Sequence, residues 1–285
     1  MVYSFYLAPL VQIAIDQSRN ILYTLSEKSD IAVYHLGSSG NEFNRISRLS
    51  GIRDLANRIL ETQSYGNYIQ QDPFKIESIH IVSESRELYL VGITNTGARL
   101  YFSCVAQKIY NIDVIDMSSV VELPTTLRLV FVRPAPSFNN DRANHSEQIH
   151  VSFYSSGITI GANPVSEDVD CIVGMAPDFG VIGLMATWSE MFSSIYLEGK
   201  VYGIYEVGNG YKFNELESQS LNVSRKFLVF TNSGVTVLSK TRSIDILEKQ
   251  IVDSSGQLTP ALNVLFENFG VDQSCAMCLS IACQV

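Results

Sequence analysis

Apolar and polar positions alternate along most of this chain, and the alternation recurs in a two-stranded unit. Each copy is an apolar run, a short polar turn, then a second alternating run. The copies span residues 21–34, 88–102, 149–160 and 227–238. Three carry glycine at the turn, Gly97, Gly157 and Gly234, and the first carries Ser29-Asp30. Glycine supplies the positive φ that a tight hairpin needs, and Asp tolerates that region better than most residues. Hairpins repeated without crossover helices between them are the sequence form of propeller blades. The predicted turns fall at 28–30, 95–97, 155–157 and 232–234.

Further strands are predicted at 10–15, 43–49, 76–82, 127–132, 181–188 and 195–207. Residues 163–178 read as a loop around a short strand at Cys171-Ile-Val. Polar residues 137–148 read as an exposed loop, and 105–118 give no clear pattern. The period changes at 51–62. There Ile52, Leu55, Ala56, Ile59 and Leu60 share one helical face, Arg53, Asp54, Asn57, Arg58 and Glu61 take the other, and Ser50 fits an N-cap. Three readings stay open for this helix: it packs on the side of the sheets, lies on a membrane surface, or fits a partner's groove. Beyond Lys240 the helical period holds. Ser243, Ile244, Leu247 and Ile251 suit one helix. Thr259 as cap, Pro260 at the first position and Gly270 as stop frame a second, with Leu262, Leu265, Phe266 and Phe269 as its apolar face. Asp272 is placed to cap a third, through Cys283. The expected domains are 1–240, a partial β-propeller, and 241–285, the start of a helical solenoid.

Composition narrows the function classes. The 285 residues are 46% apolar and 17% charged, with net charge −9. So low a charge content points to surface covered by something else. The negative balance argues against direct nucleic-acid binding. No apolar run reaches membrane-spanning length, and the N-terminus lacks a basic region ahead of its apolar stretch, so no signal peptide is expected. Five cysteines, odd in number, fit a reducing compartment, where the triplets at Asn144 and Asn222 carry no glycan. Cys275, Cys278 and Cys283 lack the second ligand pair a structural zinc would need, and are expected to be buried, reduced and metal-free. No phosphate loop, redox βαβ setting or nucleophile elbow occurs, so neither cofactor, catalytic residue nor small-molecule substrate is expected. His35, His80 and His150 fit strand faces, and Trp188 fits a blade core.

Residues 10–36, Leu-Val-Gln-Ile-Ala-Ile-Asp-Gln-Ser-Arg-Asn-Ile-Leu-Tyr-Thr-Leu-Ser-Glu-Lys-Ser-Asp-Ile-Ala-Val-Tyr-His-Leu, strongly resemble the inner-ring scaffold nucleoporins of the 155-kilodalton class. Residues 97–103 and 272–283 look like the same family at collinear places. The resemblance implies the later blades of a seven-bladed β-propeller followed by the first helices of a solenoid, and a shortened or partial chain. It implies a non-enzymatic, structural role in the inner ring of the nuclear pore complex at the nuclear envelope, in support of pore assembly and nucleocytoplasmic transport. The implied partners are other nucleoporins (inner-ring scaffold, linker and pore membrane proteins) and the envelope membrane surface. The family's propeller loop carries a membrane-binding amphipathic helix. At that position stand Ile52, Arg53, Leu55, Ala56, Arg58, Ile59 and Leu60, although the family helix leans on small and uncharged polar residues and this one is charged. The competing class is a soluble propeller that recognises proteins in a complex of the vesicle-coat kind.

Overall fold

The computed structural model describes residues 8–37, 39–62, 74–108, 122–135, 148–177, 190–208 and 224–283. Among them the elements are fifteen strands, one helix in a loop, and three helices at the C-terminal end. The strands form four antiparallel sheets, each built from consecutive strands. The first sheet is β1 (Leu10–Asp16), β2 (Ile21–Ser26), β3 (Ile31–His35) and β4 (Asn44–Leu49), in that order. The second is β5 (Ile76–Ile81), β6 (Leu90–Thr94), β7 (Arg99–Lys108) and β8 (Glu122–Arg133). The third is β9 (Val151–Ser155), β10 (Ile158–Ser166), β11 (Val169–Pro177) and β12 (Glu190–Glu198). The fourth has three strands, β13 (Val201–Val207), β14 (Lys226–Thr231) and β15 (Gly234–Ser239). Between β4 and β5 runs α1 (Ile52–Thr62). After β15 come α2 (Ser243–Asp253), α3 (Pro260–Phe269) and α4 (Val271–Cys283).

The chain divides into two compact units, residues 1–155 with 161–165 and residues 156–160 with 166–285; the division runs through the third sheet. In the first unit, alternation buries Ile21, Tyr23 and Leu25 of β2 with Ile31 and Val33 of β3. Leu90 of β6 and Leu100, Phe102 and Cys104 of β7 continue that core. In the second unit the helices close a smaller core of Ile244, Leu247, Leu262 and Met277.

All four hairpins turn where the sequence predicts. At the first, Ser29 rather than Asp30 takes the left-handed conformation, with φ 61°. Its hydroxyl accepts from the Ile76 N–H at 2.9 Å, so a residue strained at its backbone is held by a buried bond to the next sheet. Gly97 has φ 86°, a backbone conformation that favours glycine, and a Cβ there would sit tight against Ile149 Cδ1 at 3.2 Å. At the fourth hairpin the loop is Asn232-Ser233, and Gly234 opens β15.

Other expectations need correction. Residues 163–178 are mostly strand: β10 and β11 take them up, joined by a turn at 167–168. The run 195–207 is split at Gly199 into β12 and β13. Gly51 (φ 65°), not Ser50, directly precedes α1, and its carbonyl accepts from Asp54 and Leu55 N–H. Asp272 lies in the first turn of α4, which starts at Val271. Cys275 and Cys283 are exposed and Cys278 half-buried, with Ser274 and Met277 taking the buried stripe instead; all five cysteines are free. The expectations for 137–147, for a strand at 181–188 and for Trp188 lie outside the described residues.

Candidate functional site

The sequence points to α1. Gly51 admits the reversal of direction after β4, and eleven residues without proline or glycine carry the helix to Thr62. Positions four apart fall on one stripe. That stripe is Ile52, Ala56 and Leu60, all buried within the core cluster of the first unit. Ile59 is half-buried and packs on the same cluster, while Leu55 is half-buried. Arg53 is half-buried and Arg58 exposed. The helix lies against β8. The seven residues are thus brought together on one element, but its apolar stripe is used by the fold: three of them supply core, and a bilayer would reach chiefly Leu55, Ile59 and Arg58.

The surrounding unit is tied by polar clamps that the sequence did not reveal. Arg19 Nη1 donates to Asp16 Oδ2 at 2.6 Å and to the Val82 carbonyl at 3.2 Å, and Nη2 donates to the Ser85 carbonyl. The same guanidinium stacks 4.2 Å from the Tyr89 ring centroid. Gln12 makes a two-way bond with the backbone of Ile79, joining β1 to β5 as a strand would. Ser78 Oγ bridges His80 Nε2 at 2.7 Å and Ser152 Oγ at 2.5 Å. Burial pushes the His80 imidazole down to about 4, so it is neutral at physiological pH. Burial pushes the Cys104 thiol up to about 11 and raises the Tyr23 phenol further still. Tyr23 and Cys104 lie within the core and His80 is half-buried, and burial holds all three in their neutral forms.

In the second unit Arg225 makes a paired contact with Glu206, 2.6 and 3.0 Å, and reaches the Ser156 carbonyl. The buried Asp170 carboxylate accepts from the Val201 N–H at 2.6 Å, fixing the start of β13. Among the described residues no group of three His, Cys, Asp or Glu could hold a metal ion, and no helix is long and apolar enough to cross a membrane. What the sequence reading passed over is the outer surface of the fourth sheet, where Tyr205, Val207, Val235 and Val237 are exposed. The sequence cue was present: Gly234-Val-Thr-Val-Leu-Ser239 contains neither charge nor proline.

A family model described as Nup133 N terminal like matches residues 4–237. A protein of Schizosaccharomyces pombe described as a nucleoporin is 27% identical over 95% of this chain and 24% of its own length. The nuclear pore complex protein Nup154 of Drosophila melanogaster is 22% identical over 96% of this chain and 21% of its own. The chain therefore spans less than a quarter of the length of these relatives. Among solved structures, the Nup170 N-terminal domain from its complex with Nup53, from Chaetomium thermophilum, superposes with TM-score 0.79 at 20% identity. It covers 98% of this chain and 44% of that one. The shared fold bears out the expectation of a mainly β chain, a partial propeller of blade-type sheets followed by the first helices of a solenoid.

Proposed function

Because this chain belongs to the Nup133 N-terminal-like family of nucleoporins, we propose that it is a structural scaffold component of the inner ring of the nuclear pore complex. In this reading it acts at the nuclear envelope, supports nucleocytoplasmic transport, carries out no catalysis, and takes other nucleoporins as its partners. The observation that carries the reading is the fold shared with the Nup170 N-terminal domain through both sheets and helices. The proposed working division is a propeller part at 1–240 and a solenoid start at 241–285. A fluorescently tagged protein should give punctate staining at the nuclear rim, and affinity capture should recover nucleoporins. Staining of cytoplasmic vesicles with recovery of coat proteins would replace this reading by the vesicle-coat alternative.

Membrane contact through α1 is a second reading, favoured by the exposed Arg58 beside the half-buried Leu55 and Ile59. Full insertion would require Ile52, Ala56 and Leu60 to leave the core, at about 1.5–3 kcal/mol for each large aliphatic side chain. Docking on the surface by Leu55, Ile59 and Arg58 requires no such loss and would be salt-sensitive on anionic lipid. The variant Leu55→Asp/Ile59→Asp should then still fold, with a lowered melting temperature because Ile59 packs on the core, and lose flotation with liposomes. A variant that folds and still floats places any membrane contact elsewhere; one that unfolds assigns the helix to packing alone.

A further inference from the structure

We propose that Ser50 is a phosphorylation site for a kinase that selects arginine, and that the phosphate turns off contact between α1 and anionic lipid. The inference deepens the membrane reading of α1 and rests on it. Ser50 is exposed between β4 and α1, with Gly51 between it and the helix. Arginine stands on both sides, Arg45 and Arg48 before it and Arg53 after it. β4 presents the first two together. Arg45 pairs with Tyr34 and Arg48 with Ala32, because the register shift between Val33 and Tyr34 skips Ile46. Tyr34 and Ala32 are two apart on β3, so both arginines take the same face of the sheet, and both are exposed. Charge patterns of this kind are what kinases use to choose substrates. Two other hydroxyls are less well placed. Thr241 stands between Lys240 and Arg242, but Arg242 is bound to Asp245 and its side chain is 16% exposed, against 48% for Arg48. Ser85 precedes Arg86 but lies between the carboxylates of Glu84 and Glu87.

In the modification the Ser50 Oγ forms a bond to the γ-phosphorus of ATP, and the bond from that phosphorus to its bridging oxygen breaks. The hydroxyl proton passes to the kinase's catalytic carboxylate, and ADP leaves. Charge then decides the consequence. Residues 45–61 carry four arginines and two carboxylates, Asp54 and Glu61, a net charge of +2 in a chain whose total is −9. Asp30, paired with Arg48 at 2.6 Å, lowers the local balance by one. A phosphoserine brings about −1.5 to −2 at neutral pH, so a single phosphate reverses the sign of this surface. Leu55 and Ile59 are both half-buried and offer a bilayer little apolar area, which leaves attraction to anionic headgroups as the larger part of the contact. Basic segments held to anionic lipid in this way are released when a phosphate is added beside them. The fold need not rearrange, since Ser50 and Gly51 are exposed and Ile52, Ala56 and Leu60 stay in the core.

The test uses the full chain, ATP and a purified kinase catalytic subunit that selects arginine ahead of its serine. Tandem mass spectrometry should place a phosphoryl group on Ser50, with the melting temperature unchanged, and Ser50→Ala should lose that label. Flotation with vesicles of phosphatidylcholine and phosphatidylserine then reads the switch. The phosphorylated protein should partition to the vesicles at least tenfold more weakly than the unmodified one, whereas kinase-treated Ser50→Ala should float as the unmodified protein does. A folded chain that takes no phosphate at Ser50 overturns the site. A protein phosphorylated at Ser50 that floats as well as before overturns the switch. Unmodified protein that does not float defeats the membrane reading and the switch with it, and the labelling result distinguishes that outcome from failure of the site.

Discussion

Tyr23 sits at the centre of the first unit, fully buried, with a hydroxyl that has no hydrogen-bond partner there. An unpaired buried hydroxyl costs about 1–3 kcal/mol of desolvation. Tyr23→Phe keeps the ring and removes the cost, so the variant should be as stable as wild type or more so. Denaturant unfolding checks it, and a clear loss would reveal a partner for the hydroxyl. His80 gives a pH-dependent case. Burial holds its folded value at about 4, below the ordinary histidine value of 6.5. Between those values the unfolded chain binds the proton and the folded chain does not, so stability rises with pH across the window. Its contribution is whole above pH 6.5 and is lost as pH falls toward about 4, at up to about 1.4 kcal/mol per pH unit. Melting curves from pH 4.5 to 7 should show this slope, and His80→Leu should flatten its share of it.

At the scale of elements, α3 is written in its ends. The Thr259 side chain accepts from Leu262 N–H, Pro260 holds the first helical position, and Gly270 ends the helix at φ 79°, ψ 155°, a region closed to side chains. Thr259→Ala should lower stability by about 1 kcal/mol, read from denaturant midpoints, whereas Thr259→Ser should be near neutral. This helix was legible beforehand because cap, proline and glycine are local signals. The four hairpins were legible for the same reason. β11 was not, because Asp170 occupies a buried strand position and breaks the apolar alternation; its partner, the Val201 N–H, is thirty-one residues away. Nor was the start of α2 legible, since no capping side chain precedes it: the Asp245 carboxylate reaches back and accepts from the Arg242 backbone N–H at 3.0 Å and from its guanidinium at 2.6 Å. The cysteines of α4 misled by composition. An apolar sequence does not say which stripe faces inward, and Ser274, Met277, Cys278 and Ile281 share the packed side. For α1 the apolar face was legible but not its use, because a bilayer and a protein core select the same residues.

At the scale of the whole chain, the sheet core of the first unit and the helical cluster of the second differ in size, and that difference orders their unfolding. The core cluster of the first unit joins buried side chains from two strands of the first sheet, all four of the second and α1, with Ala14, Ile46 and Leu49 of the other two strands packed half-buried against it. The helical cluster has Ile244, Leu247, Leu262 and Met277 fully buried, with the remaining contacts half-buried. Large exposed apolar residues, Val252, Leu258, Val264, Val271 and Leu279, lie on or beside the same helices and add nothing to it. Short helices gain most of their stability from packing rather than propensity, so α2 to α4 should open at a lower free energy than the sheets. Hydrogen exchange followed by mass spectrometry should show peptides from 243–283 exchanging well before those covering β2, β6 and β7. Leu247→Ala should cost about 2–5 kcal/mol locally, moving the helical peptides to full exchange while leaving the protection of β2 and β6 unchanged. If that substitution instead lowers protection in the first sheet to the same degree, the chain unfolds as one cooperative body, and the ordering argued from the size of the two cores is wrong.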